Sequence, residues 1–321
     1  MTGTTPMVAV SHLVKRFTRG GLLGRRTSVT AVNDVSFSIR EGETFGLVGE
    51  SGSGKTTTGR CILRLIEPTS GSIVFRGDDV LAFPRRRLRA ARRDMQIVFQ
   101  DPYSSLNPRM RARRIVEEPL VIHRLGDQRA RRERVAELFQ LVGLDPAHLE
   151  RYPHQFSGGQ RQRISIARAM ALEPDLIIAD EAVSSLDVSV RAQILNLFRR
   201  LQESRSLSYL FIAHDLSVVE HFCERVAVMY GGKIVEIAAV DELFNAPLHP
   251  YTEALISAIP EPDPRIPYRP RILKGEVVNL INRPPGCVFQ NRCPIAQRLC
   301  SETEPPLEEK RPAHWAACHF H

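Results

Sequence analysis

A glycine-rich loop between a short apolar strand and a helix constrains the fold of this chain more than any other feature of its sequence. Residues 49–56 read Gly-Glu-Ser-Gly-Ser-Gly-Lys-Thr, residues 44–48 before them form a short apolar run, and residues 55–65 have the pattern of a helix. Glycines let the backbone of such a loop turn its N–H groups toward phosphate oxygens, and the N-terminus of the following helix adds a favourable dipole. The sequence therefore predicts a strand–loop–helix unit that binds a phosphate-bearing ligand.

The residue types in this loop suit a nucleotide and its metal ion. Lys55 is expected to contact the β- and γ-phosphates, and the hydroxyl of Thr56 is expected to bind Mg²⁺. The predicted phosphate-binding residues are Gly49, Ser51, Gly52, Ser53, Gly54, Lys55, Thr56 and Thr57. The alternative is a glycine-rich turn without a ligand, which the strand before the loop and the helix after it disfavour. The motif by itself fits kinases, GTPases and many other NTPases.

Polar side chains follow two further apolar strands that the sequence predicts. Asp180 and Glu181 come directly after the apolar run at 176–179, and His214 comes after the run at 209–213. Open α/β sheets bind ligands at the carboxyl ends of their strands, so Asp180 is expected to hold Mg²⁺ through water. Glu181 is then placed to polarise the attacking water as a general base, and His214 is expected to stabilise the γ-phosphate. An exposed acidic turn is the alternative for the pair, and the phosphate loop disfavours it.

The rest of the chain alternates between strand-like and helical patterns, which predicts an α/β fold. Strand-like alternation at residues 7–17 and 29–40 flanks a Gly- and Arg-rich loop at 19–28, and residues 113–172 have a helical pattern. Gly231-Gly232 lies between two apolar runs and predicts a hairpin turn.

Composition narrows the class of protein. No stretch approaches the roughly 18 continuous apolar residues that a membrane span needs, and residues 1–10 lack the features of a secretory signal, so we expect a cytosolic chain. The net charge is +8, and 39 of the 44 basic residues are arginine. The arginine runs at 85–93, 109–114 and 129–134 contain no interleaved aromatic residues. We therefore expect a solvated face near a membrane surface rather than a nucleic-acid site.

Several short motifs form a recognisable pattern when they are taken in chain order. They are the loop at 49–56, Gln100, Phe156-Ser157-Gly158-Gly159-Gln160, the run at 176–181, Ser184-Ser185-Leu186-Asp187 and His214. In order and approximate spacing they resemble the ATPase subunits of ABC transporters over roughly residues 7–245. The resemblance implies a P-loop NTPase domain of the ABC type, with a RecA-like core, an antiparallel β subdomain and a helical subdomain at about residues 101–172. It also implies a domain boundary near residue 245, with an extension at 246–321.

The resemblance assigns a role to each motif. It implies that Phe17 stacks on adenine, although an ordinary place in the strand core is the alternative for this residue. It implies that Gln100 touches Mg²⁺ and relays its state to the membrane subunits. It implies that Ser157, Gly158 and Gly159 cap the γ-phosphate of the ATP held by the opposite subunit, where the start of their helix offers free N–H groups to an anion. The implied catalytic residues are Lys55, Glu181 and His214, and the implied Mg²⁺ ligands are Thr56, Gln100 and Asp180.

The end of the chain narrows the resemblance to one subfamily. From about residue 245 the sequence is rich in proline, which predicts a linker and a less regular tail. The prolines are Pro247, Pro250, Pro260, Pro262, Pro264, Pro267 and Pro270. Its further motifs are His249-Pro250-Tyr251-Thr252, Pro284-Pro285-Gly286-Cys287, Arg292-Cys293-Pro294, Cys300 and Ala317-Cys318-His319. They resemble the C-terminal extension of the ATPases of oligopeptide and dipeptide importers, a subfamily that includes relatives for nickel and glutathione.

This resemblance implies ATP hydrolysis that powers import of peptides or related small solutes. The implied partners are a second ABC ATPase subunit (identical or a paralogue), two transmembrane permease subunits and an extracytoplasmic solute-binding protein. The implied location is the cytoplasmic face of a bacterial cell membrane. A soluble ABC ATPase of translation or DNA repair is the alternative, but such proteins usually carry two cassettes or a long coiled-coil insertion, and the sequence contains neither pattern.

Four cysteines lie close together in the extension, at positions 287, 293, 300 and 318. In a cytosolic protein such clustering favours a metal over disulfides, although the spacing lacks the Cys-x2-Cys of ordinary zinc ribbons. The resemblance implies a [4Fe–4S] cluster held by Cys287, Cys293, Cys300 and Cys318. Structural zinc and free or oxidised thiols are the alternatives. Cys61 and Cys223 lie in apolar helical stretches, where we expect core positions.

Overall fold

The structure is a computed structural model that describes residues 5–19, 27–260, 265, 270–276, 278–281 and 283–321. Most of the predicted loop at 19–28 lies outside the described residues, as do Pro262, Pro264 and Pro267 of the predicted linker. The chain divides into two units: unit 1 comprises residues 1–82 and 211–321, and unit 2 comprises residues 83–210. Within the described residues, no helix combines the length and the apolar character that crossing a membrane requires.

The described part of the chain contains both strands and helices. The strands are β1 (Val8–Arg19), β2 (Thr27–Ile39), β3 (Thr44–Val48), β4 (Ser70–Phe75), β5 (Asp78–Asp79), β6 (Met95–Val98), β7 (Leu176–Asp180), β8 (Ser208–Ala213), β9 (Arg225–Tyr230), β10 (Lys233–Ala239), β11 (Glu308–Arg311) and β12 (His314–Ala316). The α-helices are α1 (Lys55–Ile62), α2 (Arg85–Ala91), α3 (Pro102–Ser105), α4 (Ala112–Ile122), α5 (Gln128–Leu141), α6 (Gly158–Met170), α7 (Val188–Arg205), α8 (Leu216–Phe222), α9 (Val240–Asn245), α10 (Pro250–Ser257) and α11 (Arg298–Glu302). Short 3₁₀ turns are formed by Val80–Ala82, Pro146–His148 and Pro153–Gln155.

Unit 1 contains an antiparallel sheet and a set of strands of mixed direction. The antiparallel sheet has the strand order β2-β1-β4-β5. The second set has the order β11-β12-β10-β9-β3, in which β3 and β9 are parallel and the other pairs are antiparallel. All five residues of β3 are buried, as expected for a strand covered on both faces. The predicted hairpin at Gly231-Gly232 is confirmed, because it joins β9 to β10.

The extension is more regular than its sequence predicts. Residues 308–316 form the hairpin β11–β12, and β12 pairs with β10 through Glu236 opposite Ala316 and Ile237 opposite Trp315. The prediction of a less regular tail is therefore wrong for this segment. Its strands are only four and three residues long, and β11 reads Glu-Glu-Lys-Arg, so no apolar alternation marks it. Charged residues are common on such edge strands because they discourage pairing with other chains.

A buried carboxylate ties this hairpin to the rest of unit 1. Glu236 on β10 is fully buried and accepts hydrogen bonds from the backbone N–H groups of Leu248 (2.7 Å) and His249 (3.0 Å). Its other close partner is His314 on β12, whose Nε2 lies 2.7 Å from Oε1. Burying a carboxylate costs free energy unless its oxygens are hydrogen-bonded or ion-paired. We therefore expect the three contacts of Glu236 to form together with the hairpin.

Unit 2 combines helices with a short parallel strand pair. β6 and β7 are parallel, with Met95 opposite Leu176 and Val98 opposite Ala179. The predicted helical region is confirmed as α4, α5 and α6, which bury apolar side chains such as Ile115, Leu138 and Ile164. Of the seven residues of α2 only Leu88 is buried, so its arginines form part of a solvated surface.

The two cysteines outside the extension lie in the core of unit 1. Cys61 on α1 and Cys223 after α8 are buried, as predicted. Burial raises the pKa of Cys61 to about 11 and that of Cys223 well above its usual value. Both thiols therefore stay protonated at neutral pH and pack as small apolar groups.

Candidate nucleotide-binding site

The phosphate loop (residues 49–56) has the predicted strand–loop–helix form, in which β3 ends at Val48 and α1 begins at Lys55. Gly49, Gly52 and Gly54 have φ values of 148°, 79° and 104°, in the region that favours glycine. A Cβ added at Gly54 would lie 2.3 Å from the carbonyl oxygen of Ala31, so steric contact also excludes a side chain there. These glycines are therefore required by the path of the loop.

The ammonium group of Lys55 is held inside this loop. The residue is 4% exposed, and Nζ donates hydrogen bonds to the carbonyl oxygens of Gly49 (2.7 Å) and Glu50 (2.9 Å). The hydroxyl of Ser53 lies 3.4 Å from the same Nζ. An ammonium group held in a glycine-rich loop in this way is placed to contact phosphate oxygens of a bound ligand. Thr56 and Thr57 lie half-buried in the first turn of α1.

Glu50 is bound by two residues of the extension. Its backbone N–H donates a hydrogen bond to the hydroxyl oxygen of Tyr251 (2.9 Å), and its carboxylate accepts from Nη1 of Arg292, at 3.0 Å and 2.8 Å for the two oxygens. Burial lowers the pKa of Arg292, but hydrogen bonds to Glu50 and Tyr230 outweigh it and leave the pKa raised, so the guanidinium stays charged. Sequence reasoning missed this contact because the partners lie 201 and 242 residues from Glu50. Local motif patterns carry no signal for it.

In unit 2 the acidic pair lies at the end of β7. Asp180 is its last residue and is 3% exposed. Glu181 follows with a φ of 49°, a left-handed conformation that costs energy for a residue with a side chain. Its carbonyl oxygen accepts hydrogen bonds from the N–H (3.1 Å) and the hydroxyl (2.9 Å) of Ser184, which hold the turn in place.

The side chains of Gln100 and Glu181 meet in unit 2. Nε2 of Gln100 donates a hydrogen bond of 2.8 Å to Oε2 of Glu181, across 81 residues of sequence. The resemblance implies a separate role for each of these two residues and does not predict a contact between them. The observed bond fixes the orientation of the Glu181 carboxylate, which is the group expected to polarise water.

The Ser-Gly-Gly motif opens α6. The hydroxyl of Ser157 accepts a hydrogen bond from the N–H of Gln160 (3.3 Å), and the side chain of Gln160 accepts one from the N–H of Ser157 (3.0 Å), which is a capping box. The helix begins at Gly158, directly after its N-cap Ser157. A Cβ at Gly159 would lie 2.4 Å from Cγ1 of Val190, so this glycine permits close packing beside α7.

Three predicted residues lie on exposed positions. Phe17 on β1 is 41% exposed, with Nζ of Lys15 4.9 Å from its ring centroid, so Phe17 does not belong to the strand core. His214 is exposed directly after β8. Asp187 is exposed at the N-cap of α7 and makes no capping hydrogen bond with its side chain. Phe17, the phosphate loop and His214 belong to unit 1, and Gln100, Ser157, Asp180 and Glu181 belong to unit 2.

The four cysteines of the extension lie near one another in unit 1. Burial raises the pKa of Cys287 to about 11, and the charges of Cys300, Cys293 and Cys318 add to this rise. The backbone N–H of Cys287 donates to the carbonyl of Cys300 at 2.8 Å. Among the residues that the structure describes, however, no group of three or more His, Cys, Asp or Glu side chains is arranged to hold a metal ion. The arrangement therefore does not support a bound metal, and the predicted [4Fe–4S] cluster stays a prediction.

Comparison with known proteins places these motifs in a family. Residues 32–184 match the ABC transporter family, and residues 235–300 match the C-terminal region of oligopeptide/dipeptide transporters. The chain is 51% identical over 319 residues to a putative oligopeptide transport ATP-binding protein, YkfD, of Bacillus subtilis, covering 98% of this chain and 96% of that protein. It is 51% identical over 307 residues to the oligopeptide transport ATP-binding protein AppF of the same organism, covering 94% and 93% of the two chains.

A solved structure agrees with this placement. The chain is similar to the ATP-binding cassette MJ0796, solved as a dimer in a post-hydrolysis state with ADP and Pi, at a TM-score of 0.66 and 30% identity. The similarity covers 73% of this chain and 99% of that one. The matched relatives named above are transport proteins, which disfavours the alternative of a soluble ATPase in translation or repair. The chain belongs to the ATP-binding proteins of ABC transporters, in the oligopeptide/dipeptide transporter branch of that family.

Proposed function

We propose that this chain is the ATP-hydrolysing subunit that powers an ABC importer for di- and oligopeptides or related small solutes. One observation carries the proposal: a single chain matches both the ABC transporter family and the C-terminal region of oligopeptide/dipeptide transporters. Two relatives that are 51% identical to this chain over nearly their whole length are named for oligopeptide transport.

On this proposal the phosphate loop holds the nucleotide. Lys55 contacts the β- and γ-phosphates, exchanging the carbonyl oxygens of Gly49 and Glu50 for phosphate oxygens, and Thr56 binds Mg²⁺ with its hydroxyl. Phe17 stacks on adenine, which its exposure on β1 permits. Catalysis of phosphoryl transfer is largely positioning and charge stabilisation, so a loop that already holds its cation in place lowers the cost of binding.

Further residues are proposed to act on the attacking water and on the γ-phosphate. Asp180 holds Mg²⁺ through water, and Glu181 polarises the water that attacks the γ-phosphate. Gln100 orients Glu181 through the 2.8 Å hydrogen bond, and its side chain would serve as a Mg²⁺ ligand with bound Mg-ATP. His214 stabilises the charge that develops on the γ-phosphate.

The proposed working unit is a pair of cassettes. ATP bound by one cassette is capped by Ser157, Gly158 and Gly159 of the other, at the start of α6, where backbone N–H groups favour an anion. The related cassette solved as a dimer with ADP and Pi supports this arrangement. The second cassette is a copy of this chain or a paralogue. Two transmembrane permeases and an extracytoplasmic binding protein complete the importer, which places this chain at the cytoplasmic face of the membrane.

We further propose that Cys287, Cys293, Cys300 and Cys318 hold a [4Fe–4S] cluster in the cell. Support comes from the match to the oligopeptide/dipeptide transporter C-terminal region and from the clustering of the four cysteines in the extension. Iron and acid-labile sulfide in anaerobically purified protein, close to four of each per chain, would agree with the proposal. Stoichiometric zinc, or four free thiols with neither metal, would contradict it.

Peptide uptake tests the proposed function in the cell. The gene for this chain is replaced in its own organism by wild type, Glu181→Gln or Glu137→Gln, and uptake of labelled di- to pentapeptides is measured. Glu137 lies on α5 and is exposed, so its substitution makes the same chemical change away from the site. We expect uptake to be lost with Glu181→Gln and kept with Glu137→Gln. Equal uptake in the Glu181→Gln and wild-type strains, for every peptide tested, would contradict the proposal.

A further inference from the structure

The phosphate loop carries its own negative charge. Glu50 is the single acidic residue among residues 49–56, directly after the first glycine of the loop. The Nζ of Lys55 donates hydrogen bonds to the main-chain carbonyl oxygens of both Gly49 and Glu50, so the main chain of Glu50 lies beside the cation of the loop. A carboxylate beside a triphosphate repels it, and this repulsion is stronger in a partly buried site than in water.

The extension supplies the matching positive charge. Nη1 of Arg292 donates to both carboxylate oxygens of Glu50, at 3.0 Å and 2.8 Å. The side chain of Arg292 is 10% exposed and that of Glu50 is 27% exposed, so solvent screens this ion pair less than it screens a surface pair. The guanidinium also lies near the ring of Tyr230, 5.7 Å from its centroid.

An aromatic cluster holds this contact in place. Tyr230, Tyr251 and Phe289 pack together with centroid distances between 4.7 Å and 5.4 Å, and Tyr251 and Phe289 are fully buried. Tyr251 also accepts the backbone N–H of Glu50 at 2.9 Å. Both the main chain and the side chain of Glu50 are therefore positioned by residues of the extension.

We propose that Arg292 is a positioning residue for nucleotide binding, which neutralises Glu50 and so lets the phosphate loop accept Mg-ATP. The proposal rests on the proposed function, because it takes Mg-ATP as the ligand of the loop. It gives the extension a direct role in nucleotide affinity, since removing or displacing Arg292 leaves the carboxylate of this loop residue without the guanidinium that compensates its charge.

A double-substitution cycle in the full-length chain tests the proposal. Binding of Mg-ATP is measured by calorimetry for wild type, Arg292→Gln, Glu50→Gln and the doubly substituted chain. We expect Arg292→Gln to weaken binding by about tenfold, and Glu50→Gln to leave it within about threefold of wild type. The doubly substituted chain should return to within about threefold of wild type, because both charges are then absent.

Two matched variants distinguish the effect of the Arg292 charge from the effect of packing the extension against the rest of unit 1. Arg283→Gln removes another contact of the extension, to the carbonyl oxygens of Thr30 (2.8 Å) and Gly231 (2.6 Å), without touching Glu50. Arg292→Lys keeps the charge and serves if Arg292→Gln does not fold. We expect both to bind Mg-ATP within about threefold of wild type.

Specific results would overturn the inference. If Arg292→Gln binds Mg-ATP as wild type does, Arg292 has no role in nucleotide binding. If Arg292→Gln and the doubly substituted chain bind equally weakly, Arg292 acts only by packing the extension against the phosphate loop and not by neutralising Glu50. If Arg292→Gln does not fold, binding by Arg292→Lys more than about tenfold weaker than wild type overturns the charge argument. Failure of the proposed function looks different: wild type itself would then not bind Mg-ATP, and Lys55→Ala would change nothing.

Discussion

At the scale of single residues, Glu181 combines a strained backbone with a fixed side chain. Its φ of 49° is unusual for a residue with a Cβ, and Gln100 holds its carboxylate at 2.8 Å. Strain of this kind persists only when surrounding contacts maintain it, and here Ser184 bonds to the carbonyl oxygen. The carboxylate is thus held in one orientation before any substrate arrives, which is the property that a general base needs.

Removing the charge of Glu181 should separate binding from hydrolysis. We expect Glu181→Gln to lower ATP hydrolysis by about 10²–10⁴-fold while the protein still binds ATP, because only the general base is lost. The stalled protein should accumulate as a closed dimer with ATP. Hydrolysis is measured by phosphate release and dimerisation by size-exclusion chromatography with light scattering, each with and without Mg-ATP. Glu137→Gln is the control, and turnover by Glu181→Gln at the wild-type rate would exclude Glu181 from this role.

Residue types in local motifs predict candidate residues of the site but not the contacts between them. The glycines, Lys55 and the Ser157 cap follow from a few neighbouring residues, so the sequence predicts them. The Glu50–Arg292 ion pair and the Gln100–Glu181 hydrogen bond join residues 242 and 81 positions apart. No spacing rule links such residues, because the packing of distant elements brings them together.

At the scale of elements, strands with apolar patterns were predictable and short polar strands were not. β3 and the β9–β10 hairpin follow from apolar runs and from Gly231-Gly232. The β11–β12 hairpin lacks such a pattern, and its place depends on Glu236 bonding to His314. The helix predicted at residues 55–65 ends at Ile62, because Arg64 adopts a left-handed conformation (φ 51°) and its N–H donates to the carbonyl oxygen of Cys61 at 2.8 Å, which ends the helical hydrogen-bond pattern.

The start of α10 makes stability depend on pH. His249 is its N-cap, and Nδ1 accepts a hydrogen bond from the N–H of Tyr251 at 3.1 Å, which requires that nitrogen to be unprotonated. Burial lowers the pKa of His249 to about 4; the nearby carboxylate of Glu236 opposes this shift and His321 adds to it. The ordinary pKa of about 6.5 applies in the unfolded chain, so between about pH 6.5 and 4 the unfolded state binds more protons. Acid in this window therefore destabilises the fold.

We expect His249→Asn to reduce this pH dependence. Wild type should lose about 2 kcal/mol more of its unfolding free energy than His249→Asn between pH 7.5 and pH 5, because asparagine can still cap α10 but does not titrate. Urea unfolding at the two pH values measures the difference. His221→Asn changes an exposed histidine on α8 and should behave like wild type. Equal losses for wild type and His249→Asn would contradict the assignment.

At the scale of the whole molecule, the extension packs against β10 and the phosphate loop of unit 1. It adds two strands beside β10, contributes Tyr251 and Arg292 to the surroundings of the phosphate loop, and carries the four clustered cysteines. The sequence predicted a linker and a less regular tail because its composition changes near residue 245. Composition, however, reports local chain preferences and not which surface a segment packs against.

Equilibrium binding of Mg-ATP by the full-length chain, alone and with its cognate cassette, tests the central claim most directly. Lys55→Ala is the matched variant, because it removes the cation of the phosphate loop and leaves the glycines that shape it. We predict that wild type binds Mg-ATP and that Lys55→Ala loses at least about tenfold in affinity, since a buried charge contact with phosphate is removed. If neither the wild-type chain nor its complex with the cognate cassette binds Mg-ATP, the account is contradicted.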